Sequence, residues 1–331
     1  MRPSALKEAI AFHAQERDPC GVIGAPGMGK SEIISAVSKE KLPENQIITM
    51  NLVNRDPTDL SGLPFLLTLP DGTKVVEWVK QRAFLSKTPI TLFMDELFQA
   101  PVQTMNVAAP IILEKRVDDI YLHPESWVVF ASNRMEDKAG TNRVPSHIPN
   151  RATLYYGPDV SVDDWAEWAL DNGIDIRVIQ YVRMDPGALH DFDPSRLVNA
   201  TPRQWAYVGR KLVRIPSRIM HDTVAGRVGE GYAAKFTAFI KIADQLPPKE
   251  KILMDPKKAP VPDEPSALYL VTGMLAQAAN ATTFDAIATY ADRIPPEFQA
   301  MLVKDAMRLS PEITNTKAFV KWGVKFAEVL R

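Results

Sequence analysis

Gly24-Ala25-Pro26-Gly27-Met28-Gly29-Lys30-Ser31 decides how the whole chain is read. It fits G-x-x-x-x-G-K-[ST], the P-loop pattern. Cys20-Gly21-Val22-Ile23 before it is a short apolar run that reads as a buried strand. Glu32-Ile33-Ile34-Ser35-Ala36-Val37 after it repeats apolar residues at helical spacing. Strand, glycine-rich loop and helix are the context in which this pattern has a mechanism. Gly24, Gly27 and Gly29 carry no Cβ, so the backbone can curl round a phosphate. Loop N–H groups and the helix N-terminus then face the negative charge. Lys30 is expected to reach the β- and γ-phosphates, and the Ser31 hydroxyl to ligate Mg²⁺. Pro26, Met28 and Glu32 complete the segment expected to line the nucleotide. The fixed positions would match by chance roughly once in a hundred such chains, and the flanking strand and helix make an ordinary glycine turn the poorer account.

Working outward, the next chemical signal is Pro89-Ile90-Thr91-Leu92-Phe93-Met94, an apolar strand that ends in Asp95-Glu96. Downstream of a P-loop, this suits a Mg²⁺-organising carboxylate followed by a base that polarises the attacking water. Trp127-Val128-Val129-Phe130-Ala131-Ser132 is a further strand. It delivers Asn133, whose amide can position that water. Gln46 to Leu52 and Thr153 to Tyr156 are the remaining core strands, and repeated strand–helix alternation implies a mostly parallel sheet. Pro3 to Gln15 has helical spacing. Thr58 or Asp59 is expected to cap a short helix. Pro70-Asp71-Gly72 between two apolar runs signals a hairpin inserted in the α/β core. Pro101 suits the first turn of the following helix, and Pro110 in its interior predicts a kink. Met135 to Pro149 reads as a polar loop.

The second half reads as all-helical. Val162 to Asn172, a helix opened by Thr201 and Pro202, and Gly229 to Asp244 carry the pattern. Arg203, Arg210 and Arg214 fall on one helical face, either solvated or with Arg203 reaching a nucleotide phosphate. Leu246 to Pro265, rich in Pro and Lys, predicts an extended connector. Ala267 to Asn280, Phe284 to Ala291, Pro296 to Leu309 and Ala318 to Leu330 are further helical patterns.

At 331 residues, 46% hydrophobic and 24% charged, the composition is that of a soluble globular chain with room for two domains. A net charge of −1 leaves no global basic footprint for nucleic acid. A single cysteine, Cys20, forms no intramolecular disulfide and suits a reducing compartment. Neither a signal peptide nor a long apolar run is evident, so the expectation is a cytoplasmic protein without membrane contact. The five histidines show no metal-ligand spacing.

The ordered set of motifs resembles the AAA+ ATPases, and within them the MoxR and dynein-related branch. Besides the P-loop, the resemblance is carried by Asp56-Pro57-Thr58-Asp59-Leu60-Ser61-Gly62, Met94-Asp95-Glu96-Leu97, Leu113-Glu114-Lys115-Arg116-Val117, Ala131-Ser132-Asn133-Arg134, Asn150-Arg151 and Thr201-Pro202-Arg203. It covers residues 1 to about 240. The tail, Lys249 to Arg331, is similar to that of ATPases encoded in phages and prophages, which places the chain in the cytoplasm of a bacterium or of a phage-infected host. The resemblance implies an α/β P-loop AAA+ core with a parallel five-stranded sheet at 1–157, carrying a β-hairpin insertion at about 63–79. A helical lid at 158–245, the connector at 246–265 and a C-terminal helical region at 266–331 follow.

The resemblance also implies roles. Lys30 and Ser31 match Walker A, and Asp95 and Glu96 match Walker B as Mg²⁺ organiser and catalytic base. Asn133 matches sensor 1, Arg203 sensor 2, and Arg151 the arginine finger that completes a neighbouring subunit's site. ATP and Mg²⁺ are the implied cofactors. A homo-oligomeric ring, usually a hexamer, is the implied assembly, and a protein substrate or a von Willebrand factor A-domain adaptor the implied partner. Two departures matter: Ala152 stands where the family has an aromatic, which keeps Arg143 as a second finger candidate, and Pro110 is unusual in its helix. The leading function is thus a chaperone-like ATPase that remodels a protein. A nucleic-acid motor or loader, and a binding module with a structural nucleotide, are the alternatives.

Overall fold

The computed structural model describes residues 1–137 and 142–325, so part of the Met135 to Pro149 loop and the end of the last predicted helix, to Leu330, lie outside the described residues. The chain divides into two compact units, Met1–Val160 and Ser161–Arg331.

In the first unit α1 (Pro3–Glu16) leads into β1 (Cys20–Ile23), and α2 (Lys30–Lys41) follows the glycine loop. Next come β2 (Gln46–Asn51), a short α3 (Pro57–Ser61), β3 (Leu63–Thr68), β4 (Lys74–Val79) and β5 (Ile90–Asp95). They are followed by α4 (Val102–Glu114), β6 (Arg116–Val117), β7 (Ile120–Tyr121), β8 (Trp127–Ser132) and β9 (Thr153–Tyr156). Five strands form one sheet in the order β2-β5-β8-β1-β9, and every neighbouring pair is parallel. This is the α/β P-loop architecture expected from the sequence, with the hairpin insertion in place.

The inner strands are continuous apolar runs because helices cover both faces of the sheet. Side chains alternate across a strand, so neighbours in sequence serve opposite layers. Phe93, Trp127 and Val129 pack with Leu6, Ile10 and Ile34 of α1 and α2. Leu92, Met94, Val128 and Phe130 pack with Met105, Ala108 and Ile112 of α4. α4 continues unbroken through Pro110. α3 is capped by Asp56, two residues before the expected Thr58 and three before Asp59, because Asp56 and Asp59 form a reciprocal capping box around Pro57 at the first turn.

The β3–β4 hairpin is antiparallel and, among the described residues, pairs with no other strand. Its turn is closed by Leu69 N–H to Thr73 O at 2.8 Å, with Gly72 at φ 85°. Apolar residues stand exposed on both faces: Phe65 is 60%, Leu66 61% and Val76 59% accessible.

His13 of α1 is buried, with Nε2 2.8 Å from the Tyr155 hydroxyl of β9 and, among the described residues, no hydrogen-bond partner for Nδ1. Burial pushes its pKa below the ordinary 6.5, with Asp18 opposing only in part. The unfolded chain therefore binds this proton more readily than the folded one. The neutral imidazole's contribution is present above pH 6.5 and is lost as pH falls through the lower folded value. Melting temperatures measured from pH 8 to pH 5 should fall across this window, and His13→Gln should flatten that part of the curve. An identical slope in the variant would assign the pH dependence to other groups.

Among the described residues the second unit is helical, apart from an isolated bridge between Asp191 and Ala200. It holds α5 (Val162–Asp171), α6 (Ile176–Met184), α7 (Pro202–Lys211), α8 (Met220–Val228) and α9 (Glu230–Ala243), packed around Tyr181, Trp205 and Phe236. Then come α10 (Lys249–Met254), α11 (Pro265–Ala278), α12 (Phe284–Ala291), α13 (Pro296–Leu309) and α14 (Lys317–Lys325), packed around Phe284, Tyr290 and Leu302. The stretch 246–265 is not an extended connector. It forms α10, whose Ile252 is fully buried, and Ala259 is buried beyond it. Proline removes N–H donors but leaves carbonyls, and here these are used: Tyr290 Oη donates to Pro260 O at 2.9 Å and Arg293 Nη1 to Pro256 O at 2.7 Å. A second difference concerns Arg214. It lies in a 3-10 turn after α7 has ended, so it does not continue the helical face of Arg203 and Arg210.

The two helical groups are fastened by α11 against α6 and α9, by α13 against α5, and by an ion pair. Arg183 Nη2 donates to Asp305 Oδ1 at 2.8 Å, and the Asp305 side chain is only 3% exposed. Removing one partner of a buried pair leaves the other charge uncompensated, at a cost of about 3–5 kcal/mol. Asp305→Ala should lower the denaturant-unfolding free energy by that amount. A loss under about 1 kcal/mol, the range of an exposed pair, would show that water reaches Arg183.

No helix among the described residues is long and apolar enough to cross a membrane.

Candidate functional site

The carboxyl ends of β1, β5 and β8, three adjacent parallel strands, converge on one point of the first unit. Ligands of open α/β sheets sit outside this edge. β1 runs into the loop from Gly24. A Cβ on Gly24 would lie 2.1 Å from Gly157 O, so only glycine lets the loop pass the end of β9. Gly29 is needed for a different reason: nothing crowds it, but its φ is 86°, in the left-handed region, as is that of Gly27 at 76°. The chain thereby turns directly into the first residue of α2, which is Lys30.

Lys30 is buried at 8% exposure. Its ammonium donates to Gly24 O at 2.8 Å, Ala25 O at 2.9 Å and Asn133 Oδ1 at 2.9 Å. A buried lysine needs such acceptors, and phosphate oxygens are acceptors of the same kind with added charge. Ser31 Oγ donates to Asp95 Oδ2 at 3.1 Å. The donor set fits Mg²⁺: with ligand distances of about 2.1 Å, neighbouring corners of an octahedron lie about 3 Å apart. The Asp95 carboxyl is pushed up from its ordinary range, first by burial and further by the neighbouring Glu96, against the Ser31 hydrogen bond. A cation here would reverse that balance.

Glu96 is held at φ 59°, a conformation costly for a residue with a Cβ. Two bonds fasten it. Its N–H donates to Asp95 Oδ1 at 3.0 Å, and its Oε2 accepts from Asn51 Nδ2 at 2.8 Å. The strained backbone aims the carboxylate across to β2 rather than along its own strand. Behind Asn133, Ser132 Oγ donates to Gln99 Oε1 at 2.7 Å and accepts from Phe98 N–H at 2.9 Å, locking the tip of β8 to the turn after β5.

Lys30, Ser31, Asp95, Glu96 and Asn133 are thus brought together. Pro26, Gly27 and Met28 form the loop beside them, and Glu32 is exposed in the first turn of α2. Arg151 is not part of this cluster. It ends a 3-10 turn before β9 and bonds to α4 through Glu114 Oε1 at 2.9 Å and Ala109 O at 3.3 Å. Arg143 is exposed. Arg203 belongs to the second unit, exposed in the first turn of α7, whose N-cap Thr201 accepts from Gln204 N–H. Asn51 and Glu114 escaped sequence reasoning as site residues. Asn51 matters because β2 pairs with β5, where it lies opposite Asp95, and strand order is not written in local periodicity.

No family model matches the chain, and no curated protein does. Solved structures with partial likeness include NtrX from Brucella abortus in complex with ADP, 14% identical, covering 99% of this chain and 68% of that one with a TM-score of 0.43. A putative ATPase from Cytophaga hutchinsonii is 12% identical over 92% of this chain and 79% of its own, TM-score 0.35. The Thermotoga maritima RuvB Holliday junction branch migration motor is 15% identical over 76% and 74%, TM-score 0.40. Likeness at this level assigns neither family nor activity.

Proposed function

We infer that the protein is a Mg²⁺-dependent ATPase of the AAA+ class, of the MoxR-like branch, which works as a homo-oligomeric ring and remodels a protein partner. The observation that supports this best is the convergence of Lys30, Ser31, Asp95, Glu96 and Asn133 at the ends of three adjacent parallel strands. Phosphoryl transfer asks of a protein chiefly positioning and charge stabilisation. Lys30 supplies the cation for the β- and γ-phosphates, Ser31 and Asp95 the two oxygens for Mg²⁺. Mg²⁺, when bound, neutralises charge developing on the phosphate oxygens. Glu96 takes the proton of the attacking water, and the Asn133 amide, tethered to Lys30, orients that water. Arg151 is the cation for a neighbouring subunit's nucleotide.

The experiment is the rate of ATP hydrolysis per chain against protein concentration, with mass measured in parallel. A rate that rises with concentration as the mass rises is expected. A flat rate at constant mass removes the shared site, and no turnover at any concentration leaves a binding module. A nucleic-acid motor has one specific observation in its favour. Arg203, Tyr207 and Arg210 are exposed along α7, with the Arg227 guanidinium 3.6 Å from the Tyr207 ring centre. Several-fold stimulation by single-stranded DNA with a steep salt dependence would move the assignment there.

A further inference from the structure

Glu114, the last residue of α4, carries two arginines on one carboxylate. Its Oε1 accepts from Arg151 Nη1 at 2.9 Å and its Oε2 from Arg116 Nε at 2.6 Å. The geometry is produced locally. Lys115 ends α4 at φ 53°, which turns the chain so that Arg116, two residues on, reaches back to Glu114. Arg116 is itself held by its Nη1 on Asp118 O at 2.8 Å. Glu114 is therefore fixed from one side by its own turn and presents its other oxygen to Arg151.

Arg151 uses this anchor in a particular way. A guanidinium has five N–H donors in a rigid plane. Both bonds of Arg151 run from Nη1, to Glu114 and to Ala109 O at 3.3 Å. Among the described residues, Nη2 and Nε make no bond, and the side chain keeps 26% of its surface. One corner of the fork is tied to the chain's own α4, and the remaining three N–H groups are left for an acceptor elsewhere. An arginine tied on its own chain for internal stability alone would gain more by turning the fork flat against the carboxylate in a bidentate pair.

We propose that Glu114 is the positioning residue for Arg151: it grips one nitrogen of the guanidinium and so orients the other two toward the phosphates of a neighbouring subunit's nucleotide. This rests on the reading of Arg151 as the cation supplied between subunits. Glu114 does not touch nucleotide itself. Its carboxyl is held below the usual carboxylate range by Arg151 and then Arg116, so the grip keeps its charge when the pH falls.

The test is a double-mutant cycle on the full-length protein, with ATP turnover, KM for ATP, assembly mass and melting temperature measured for Glu114→Ala, Arg151→Ala and the pair. The expected result for Glu114→Ala is a kcat roughly 10- to 100-fold lower at a concentration where the mass is that of wild type. KM should be unchanged, since each chain's own loop binds ATP. The pair should be no slower than Arg151→Ala alone, because Glu114 acts only through Arg151. Glu114→Gln, which keeps one acceptor and the side-chain volume, should fall between Glu114→Ala and wild type, and serves if Glu114→Ala fails to assemble. Wild-type kcat in both Glu114 variants while Arg151→Ala is slow overturns the proposal and leaves the reading of Arg151 standing. Losses that multiply in the pair overturn it too, since Glu114 would then act by another route. A fully active Arg151→Ala removes the intersubunit reading itself.

Discussion

Arg151→Ala should assemble like wild type and hydrolyse ATP about 10³- to 10⁵-fold more slowly, the range over which an arginine supplied in trans accelerates phosphoryl transfer. The charge on the γ-phosphate oxygens grows toward the transition state. A guanidinium placed there in a water-poor interface stabilises it more than it stabilises bound ATP. The loss should therefore lie in kcat, with ATP affinity retained. The structure makes the result informative, because among the described residues the Arg151 side chain bonds to α4 and to none of Lys30, Asp95, Glu96 or Asn133. A slow variant could not be blamed on a collapsed site in its own chain. Mixing Arg151→Ala with excess Lys30→Ala, which lacks its own phosphate lysine but carries the arginine, should recover turnover. Wild-type rates in assembled Arg151→Ala would transfer the role to Arg143, and Arg143→Ala is then the variant to measure.

Glu96→Gln is expected to bind ATP with Mg²⁺ and to turn it over about 10²- to 10⁴-fold more slowly, the usual worth of a positioned base. The substitution is nearly isosteric. The glutamine carbonyl oxygen can still accept from Asn51, and the backbone bond to Asp95 Oδ1 is untouched, so the strained φ of 59° should persist. What disappears is the capacity to take a proton. Calorimetric titration should show binding, and phosphate release should show the loss. Wild-type turnover would remove Glu96 from the reaction. Asn51→Ala separates two effects that Glu96→Gln leaves joined, since it frees the carboxylate while keeping its basicity.

Much of this site is legible in the sequence. The P-loop could be read because its constraints are local: Gly27 and Gly29 are written by φ, and Lys30 by its place at the head of α2. Asp95-Glu96 and Asn133 could be read because each ends an apolar run, and in a parallel sheet all such ends meet at one edge. The strand boundaries of β1, β8 and β9, and the hairpin from its Asp-Gly turn, follow from the same local rules. What failed was also consistent. In the proline-rich stretch 246–265 the sequence displays the missing donors, while the carbonyls it offers to Tyr290 and Arg293 emerge only on folding. Spacing alone puts Arg214 on the helical face of Arg203 and Arg210, but the chain has already tightened into a 3-10 turn there.

The sequence by itself determined the α/β core, the glycine loop that opens α2, and the five side chains that crowd its edge, because periodicity, backbone conformation and chain continuity suffice for each. Only the tertiary structure decided that Asn51 holds Glu96, that Asp305 is matched by Arg183, and that Glu114 grips Arg151. Each of these joins elements tens of residues or more apart. Their pairing depends on strand order and helix packing, which are collective outcomes of burying the apolar layers and leave no local trace at the residues concerned.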